Sequence, residues 1–131
     1  MGTSSSAAVI TCLDPRIQET VRRLRLKLGL PEGTYTPHHP PGASLNITSE
    51  ERRLDLSILD LGSRLIVVID HEDCLAYKRW CDPGKYTLQS HLDKLHRAKV
   101  WLENRYPKRS VRLYLLKKIT DEEWEIETIR T

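Results

Sequence analysis

The sequence lacks several features, and each absence narrows the classes of protein it can belong to. Its 131 residues include no phenylalanine, one methionine and three cysteines. The longest apolar run, Leu65–Ile69, is far shorter than the roughly 20 residues that a membrane-spanning helix needs. Met1–Ala8 has neither the basic region nor the apolar region of a signal peptide. We therefore expect a cytoplasmic protein with no membrane partner.

Composition and charge add two further limits. Three cysteines in a chain without a signal peptide do not indicate a disulfide framework, so metal binding or catalysis is their expected use. Apolar residues make up 39% of the chain and charged residues 30%, an ordinary balance for a folded domain. The formal net charge of +3 does not indicate a nucleic-acid partner, and we expect none. We expect a disordered leader over residues 1–6 and a single domain over residues 7–131.

Strand-like and helix-like segments alternate along the chain, which favours an α/β protein. Near-continuous apolar runs predict that the first strand, Ala7–Thr11, and the third, Leu65–Ile69, are buried on both faces, as in a parallel sheet. The other predicted strands are Thr34–Thr36, Val111–Leu116 and Trp124–Ile129, and the predicted helices cover residues 15–28, 48–61 and 87–106. We predict a three-layer αβα fold with a mostly parallel sheet, strand order about 2-1-3-4, and a C-terminal antiparallel edge strand.

Two short stretches directly follow the buried first and third strands. They are Cys12-Leu13-Asp14-Pro15-Arg16 and His71-Glu72-Asp73-Cys74. If these strands are neighbours, with the second strand beyond the first, the strand order reverses between them. Ligands bind outside the carboxyl ends of parallel strands at such a reversal. Cys12, His71 and Cys74 then offer two thiolates and one imidazole, which form the ligand set of a catalytic zinc site with an open fourth position.

Asp14 and Arg16 follow Cys12 closely enough to reach the same cavity. Their side chains can form a bidentate salt bridge. In that arrangement Arg16 holds Asp14 off the metal, and the carboxylate accepts a hydrogen bond from the bound water or hydroxide that attacks the substrate. If the pair broke, Asp14 could itself ligate zinc and close the site, so an inhibited form is inherent in the same residues.

Taken together, Cys12-x-Asp14-x-Arg16 and His71-x-x-Cys74 resemble the paired signature of the β-class carbonic anhydrases, zinc enzymes that interconvert CO2 and bicarbonate. The resemblance extends from the first predicted strand to just beyond the second motif, and it indicates a short, divergent member with a single zinc domain. It implies Zn²⁺ held by the two cysteines and the histidine, with the Asp14–Arg16 dyad beside the ion. It also implies a homodimer whose pocket is completed across the interface.

The sequence departs from the pattern of that family at several points. Leu75 stands directly after the second cysteine, where the family usually has glycine. Ala43–Ile47 occupies the middle segment, where an Arg-Asn-Ala-Gly stretch is common. Without phenylalanine, an apolar pocket for CO2 has to be lined by leucine, isoleucine, valine, tyrosine or tryptophan. These departures concern the substrate and the rate rather than the ligands or the dyad.

The resemblance implies a zinc-dependent lyase in which zinc-bound hydroxide attacks CO2, with Asp14 aligning the hydroxide and Arg16 positioning Asp14. His38 or His39 is a candidate for proton transfer to buffer. Two alternatives stay open: a related zinc hydrolase acting on another small heterocumulene such as CS2 or COS, and a noncatalytic zinc-stabilised module. The noncatalytic module would bind its partner through basic residues of the C-terminal helix, namely Lys94, Arg97 and Lys99.

Three further residues near the motifs have more than one interpretation. Asp70 either orients His71 or ends the third strand, and the sequence does not separate these roles. Cys81 is either a metal ligand or a bystander thiol, and because it has no matching histidine the second interpretation is preferred. Asp73 either serves the turn or hydrogen-bonds to a zinc ligand.

Overall fold

In the computed structural model, which describes residues 4–81 and 84–130, strands and helices alternate as the apolar pattern predicts. The strands are β1 (Ala7–Thr11), β2 (Tyr35–His38), β3 (Leu65–His71), β4 (Ser110–Lys118) and β5 (Trp124–Ile129). The α-helices are α1 (Gln18–Lys27), α2 (Glu51–Asp55), α3 (Leu75–Trp80) and α4 (Leu88–Arg105). Short 3-10 segments cover Pro15–Ile17 and Ala43–Glu50, and a π-helical turn covers Leu56–Asp60.

The five strands form one sheet in the order β2-β1-β3-β4-β5. All neighbouring pairs are parallel except β4 and β5, which are antiparallel. The predicted mostly parallel sheet with a C-terminal antiparallel edge strand is therefore confirmed. Three details differ: β2 begins one residue later than predicted and runs to His38, β3 runs two residues further than predicted, to His71, and β4 extends beyond both ends of its predicted range.

The sheet is buried on both faces, which accounts for the apolar character of its inner strands. Every residue of β1 is buried, and so is all of β3 after Leu65. Because successive strand residues point to opposite faces, each inner strand contributes to two separate cores. The core beside α1 and α3 includes Val9, Ile17, Val21, Leu24, Val67 and Tyr77. The core beside α2 and α4 includes Ile10, Leu54, Ile58, Val68, Leu95 and Leu102. The predicted three layers are thus present.

The helix boundaries follow the local signals in the sequence, with two exceptions. The side chain of Asp14 accepts the N–H of Arg16 at 2.8 Å, and Pro15 occupies the first position of the 3-10 turn that leads into α1. The predicted second helix is instead divided into a 3-10 segment kinked at Asn46, the short α2 and the π-helical turn, and it ends at Gly62 with φ of 80°. Helix α3 was not predicted.

Some sequence predictions concern residues outside the described ranges. Of the predicted leader at residues 1–6, the first three lie outside the described ranges. Asp82 and Pro83 also lie outside them; they belong to the stretch Asp82-Pro83-Gly84, a combination of residues that predicts a turn. Ser5 is buried; its hydroxyl donates to the carbonyl of Ala7 at 2.9 Å, so the described packing includes part of that leader. Within the described ranges, no helix combines the length and the apolar character that crossing a bilayer requires.

Candidate metal centre

The pairing of β1 with β3 brings the two sequence motifs to the same edge of the sheet. The strands run parallel, with Thr11 opposite Ile69, so their carboxyl ends lie side by side. Cys12 follows the end of β1 directly, and His71 is the last residue of β3. Cys74 follows after a short turn in which Asp73 has a φ of 55°. The parallel ladder therefore determines that these three side chains meet.

The donor atoms of Cys12, His71 and Cys74 converge closely. All three residues are buried, and their ligand atoms lie within 4.8 Å of one another. The Sγ atoms of the two cysteines are 3.9 Å apart. Two thiolates bound to one tetrahedral zinc ion, each at about 2.3 Å, lie about 3.8 Å apart. The sulfur–sulfur separation therefore suits two ligands of one ion better than a disulfide, which needs a bond of about 2 Å.

The orientation of His71 leaves one ring nitrogen available to a ligand. Nδ1 lies 2.8 Å from the carbonyl oxygen of Glu72, so it carries the hydrogen and donates it. Nε2 consequently has a lone pair, and it is buried without a hydrogen-bond partner among the residues that the structure describes. An unpaired buried polar atom costs about 1–3 kcal/mol. One nitrogen lone pair beside two sulfurs fits a borderline-soft divalent ion such as zinc.

The three groups also influence one another's protonation. The hydrogen bond between the thiols lowers the pKa of Cys12, burial opposes that effect, and the same contact raises the pKa of Cys74. Burial alone would lower the pKa of His71, but the close approach of the Cys12 sulfur and the charge of that sulfur outweigh burial and raise the pKa. Metal binding to such a set displaces protons, because cysteine binds as thiolate and histidine as neutral imidazole.

The Asp14 and Arg16 side chains form the dyad beside these donor atoms. Arg16 donates from Nε to both carboxylate oxygens of Asp14 at 3.2 Å and from Nη2 to Oδ2 at 2.9 Å. Burial raises the pKa of Asp14, but the hydrogen bonds from Arg16 outweigh that effect and hold the pKa below its usual value. Oδ2 also lies 3.8 Å from Nε2 of His71, so an ionised carboxylate borders the ligand cluster.

Arg16 has further partners that local sequence patterns did not reveal. Its Nη1 donates to Oδ2 of Asp73 and to Oδ1 of Asp121, both at 3.0 Å. Its guanidinium carbon lies 5.5 Å from the ring centre of Trp124, and the ring of Trp124 is nearly perpendicular to that of His71, with the ring centres 5.6 Å apart. Asp121 and Trp124 belong to the β4–β5 hairpin, far from the dyad in sequence. Only the tertiary fold brings that hairpin to the site.

A cavity of about 540 Å³ opens beside Cys12 and Asp14. Its apolar lining consists of Leu13, Pro15, Pro41, Leu75, Ala76 and Trp80. Its charged lining consists of Asp14, Arg16, Asp73, Lys78 and Arg79. Leu75, the residue that replaces the usual glycine, is 74% exposed and contributes to the wall of this cavity.

The remaining candidate residues lie outside the ligand cluster. His38 is buried, and its Nδ1 is 3.2 Å from Oε2 of Glu50. His39 is exposed, and its Nδ1 is 3.0 Å from the hydroxyl of Thr11, which adjoins Cys12. Cys81 is half-buried and is not part of the ligand cluster.

The carboxylate of Asp70 does not orient the ring of His71, which the carbonyl of Glu72 holds instead. Its partners are Ser44, Tyr77 and His91. The sequence left two interpretations of Asp70 open. Its contacts show a different environment, a buried network of hydrogen bonds with these three residues.

Comparison with known proteins identifies the fold. No protein-family model matches the sequence, and no curated protein sequence matches it. Among solved structures, carbonic anhydrase from Streptococcus mutans is 20% identical, with a TM-score of 0.66, and the match covers 98% of this chain and 83% of that one. A β-carbonic anhydrase from Trichomonas vaginalis is 17% identical, with a TM-score of 0.64 and coverage of 98% and 85%. A carbon disulfide hydrolase is 15% identical, with a TM-score of 0.61 and coverage of 97% and 79%.

These similarities place the chain in a structural class. The protein has the fold of the β-carbonic anhydrases, as the paired motifs implied. The similarity spans nearly the whole chain, so the C-terminal helix and hairpin belong to that fold as well as the motif-bearing part.

Buried His38 generates a prediction about stability and pH. Burial lowers the pKa of His38 from its ordinary value of 6.5, and the hydrogen bond with Glu50 offsets only part of that effect. Below pH 6.5, His38 therefore binds a proton more readily in the unfolded chain than in the folded protein. The free energy of unfolding consequently decreases as the pH falls. His38→Asn, which keeps a donor near Glu50 but does not titrate, should flatten this decrease between pH 7 and 5.

Urea denaturation at several pH values measures the effect. His96→Asn is the matched control because His96 is exposed on α4, and it should leave the wild-type slope in place. Equal slopes in wild type and His38→Asn would contradict the prediction.

Proposed function

We propose that this protein is a zinc-dependent lyase of the carbonic anhydrase type that converts CO2 and water to bicarbonate. The observation that carries the proposal is the buried convergence of Cys12, His71 and Cys74 beside the Asp14–Arg16 dyad. Neither feature alone is specific, since buried thiols and salt bridges are common. Their combination at the carboxyl ends of two neighbouring parallel strands, in a fold shared with β-carbonic anhydrases, favours catalysis.

In this proposal Cys12, His71 and Cys74 hold the Zn²⁺ ion. When bound, the ion supplies an acidified water molecule at an open fourth position. The two sulfur ligands and the imidazole would neutralise the charge of the ion, and the backbone carbonyl of Glu72 fixes the tautomer of His71 through its 2.8 Å hydrogen bond. The protein thus supplies a ligand set of defined charge and orientation.

Asp14 and Arg16 orient the attacking water. An ionised Asp14 can only accept hydrogen bonds, so it takes one from the attacking water and directs the lone pair of that water towards the substrate. Arg16 keeps the carboxylate in place through its bidentate contact, and Asp73 and Asp121 in turn hold the guanidinium. The apolar part of the lining of the adjoining cavity suits a small uncharged substrate.

A second candidate function is hydrolysis of another small heterocumulene, such as CS2 or COS. It is favoured by the shared fold with a carbon disulfide hydrolase and by the apolar side chains, including Leu75, that line the cavity. The ligand cluster and the dyad would have the same roles in both reactions. Only the fit of the substrate to the cavity would differ.

We further propose that the chain forms a cytoplasmic homodimer. Leu13, Leu75 and Trp80 are 58%, 74% and 56% exposed, and all three line the cavity beside the ligand cluster. Large apolar side chains that are exposed together often mark an interface. A second copy placed over this surface would cover them and narrow the cavity.

The metal proposal predicts one zinc ion per chain in the purified protein. Cys12→Ser and Cys74→Ser should each lose most of the metal, because each removes a soft thiolate ligand. Cys81→Ser is the matched control and should keep it, since Cys81 lies outside the cluster. Inductively coupled plasma mass spectrometry gives the stoichiometry. Wild-type zinc content in Cys12→Ser would refute the ligand assignment.

The catalytic proposal predicts fast CO2 hydration by zinc-loaded protein in a stopped-flow assay. Asp14→Asn should keep its zinc but lose roughly 100-fold in rate. The neutral amide is a weaker hydrogen-bond acceptor than the ionised carboxylate, so it orients the attacking water less well. Asp60→Asn changes an exposed carboxylate and should behave as wild type.

The same preparations assayed with COS and CS2 separate the two enzymatic candidates. Turnover of a sulfur compound without CO2 hydration would favour the second candidate. If zinc-loaded protein turns over none of the three substrates, the enzymatic proposal fails. The noncatalytic alternative, in which Lys94, Arg97 and Lys99 bind a partner, would then gain support.

The dimer proposal predicts a particle of about twice the 15.2 kDa chain mass. Leu75→Glu should shift this particle towards the monomer, because it places a charge in the apolar interface. Ile119→Glu, which replaces a side chain that is 61% exposed elsewhere on the surface, should remain dimeric. Size-exclusion chromatography with light scattering measures both. A monomeric wild type at micromolar concentration would show that this surface is not a self-association site.

A further inference from the structure

A chain of hydrogen bonds, buried at Asp70 and His91 and half-buried at Tyr86, lies behind the ligand cluster and takes no part in the proposed chemistry. The carboxylate of Asp70 is 2.9 Å from Nδ1 of His91. Nε2 of His91 is 2.6 Å from the hydroxyl of Tyr86. That hydroxyl lies 3.1 Å from the backbone nitrogen of Cys74. The chain therefore connects the residue before one candidate ligand, His71, with the backbone of another.

The direction of each hydrogen bond follows from the groups involved. The N–H of Cys74 can only donate, so the oxygen of Tyr86 accepts from it. The hydroxyl hydrogen of Tyr86 is then donated to Nε2 of His91, and Nδ1–H of His91 is donated to the carboxylate of Asp70. One neutral tautomer of His91 satisfies every contact. A chain in which every donor and acceptor is paired holds its side chains in fixed positions.

Asp70 provides the fixed end of this chain. Oδ1 accepts the backbone N–H of Ser44 at 3.0 Å, and Oδ2 accepts the hydroxyls of Ser44 at 2.6 Å and Tyr77 at 2.7 Å. Asp70 is buried, so these contacts compensate the loss of hydration of its charge. Tyr77 also packs against the ring of His91 at 4.1 Å and stacks on that of Tyr86 at 5.4 Å, which fixes both rings.

The ends of the chain bracket the loop that contains His71. Asp70 lies at the end of β3, and Cys74 lies beyond a turn in which Asp73 adopts a positive φ of 55°. A non-glycine residue in that conformation is strained, so the turn needs support from surrounding contacts. Cys74 is also the N-cap residue of α3, and its own N–H is donated to the Tyr86 hydroxyl.

We propose that Asp70, His91 and Tyr86 are positioning residues that hold the Cys74 backbone in place and thereby slow the loss of the metal. The inference rests on the metal site of the proposed function but concerns retention of the ion rather than turnover. Partners that orient metal ligands from outside commonly change metal affinity by about 10-fold to 100-fold when they are removed.

The variant that tests the proposal is Tyr86→Phe, which removes one hydroxyl and leaves the ring on Tyr77. It breaks both the Cys74 link and the His91 link. Tyr106→Phe is the matched control, because the buried Tyr106 also loses two hydroxyl hydrogen bonds, one donated to Asp55 at 2.6 Å and one accepted from Arg105 at 3.2 Å, both remote from the site. Zinc release to a chromophoric chelator and the thiolate-to-cobalt charge-transfer band of Co²⁺-substituted protein are measured on the full chain.

We expect Tyr86→Phe to bind one ion per chain, to release zinc about 10-fold to 100-fold faster than wild type, and to shift the charge-transfer band. Tyr106→Phe should match wild type in both. His91→Gln, which keeps an acceptor near Tyr86, should release zinc more slowly than His91→Asn, which loses it. The two His91 variants also test the proposal if Tyr86→Phe does not fold.

Two results would overturn the proposal: release rates equal to wild type in Tyr86→Phe and both His91 variants, or equal acceleration in Tyr106→Phe. Failure of the proposed function looks different. If wild type binds zinc but hydrates no CO2, the catalytic proposal fails while the release rates still decide the role of Tyr86. If wild type binds neither zinc nor Co²⁺, both proposals fail.

Discussion

The candidate site depends on the parallel pairing of β1 with β3. That ladder sets Thr11 opposite Ile69, and every donor atom of the cluster follows from this register. Because both strands are buried on both faces, a slip by one residue would exchange their two apolar faces and move Cys12 relative to His71. The apolar runs that build the core therefore also fix the geometry of the cluster. Stability and function share one constraint here.

Charge balance extends that constraint to the C-terminal hairpin. Arg16 contacts three carboxylates, those of Asp14, Asp73 and Asp121, and Lys118 contacts the last two as well. The side chain of Asp14 is only 13% exposed, so its attraction to the guanidinium is screened less than that of a fully exposed pair would be. The β4–β5 turn therefore takes part in holding the dyad, which gives the edge hairpin a role beyond covering the sheet.

The sequence allowed the ladder and the ligand cluster to be predicted, because both arise from local patterns. Apolar runs indicated β1 and β3, and the positions of Cys12 and His71 near the ends of those runs indicated that they are site residues. The contacts of Asp121 with Arg16 and of Tyr86 with Cys74 could not be predicted, since no local pattern records which distant loops meet. Helix α3 was missed because six residues are too few to display a helical repeat. Homodimer formation and cytoplasmic location stay predictions.

The replacement of the usual glycine by Leu75 has a physical interpretation in this structure. A glycine is required where the backbone needs a positive φ or where a side chain would collide. Leu75 is the first residue of α3 and does not have a positive φ, and its side chain is 74% exposed. The positive φ in this turn falls instead on Asp73, whose carboxylate is held by Arg16, Lys78 and Lys118. Leucine is therefore tolerated by the backbone, and its side chain contributes to the apolar wall of the cavity and lies outside the ligand cluster.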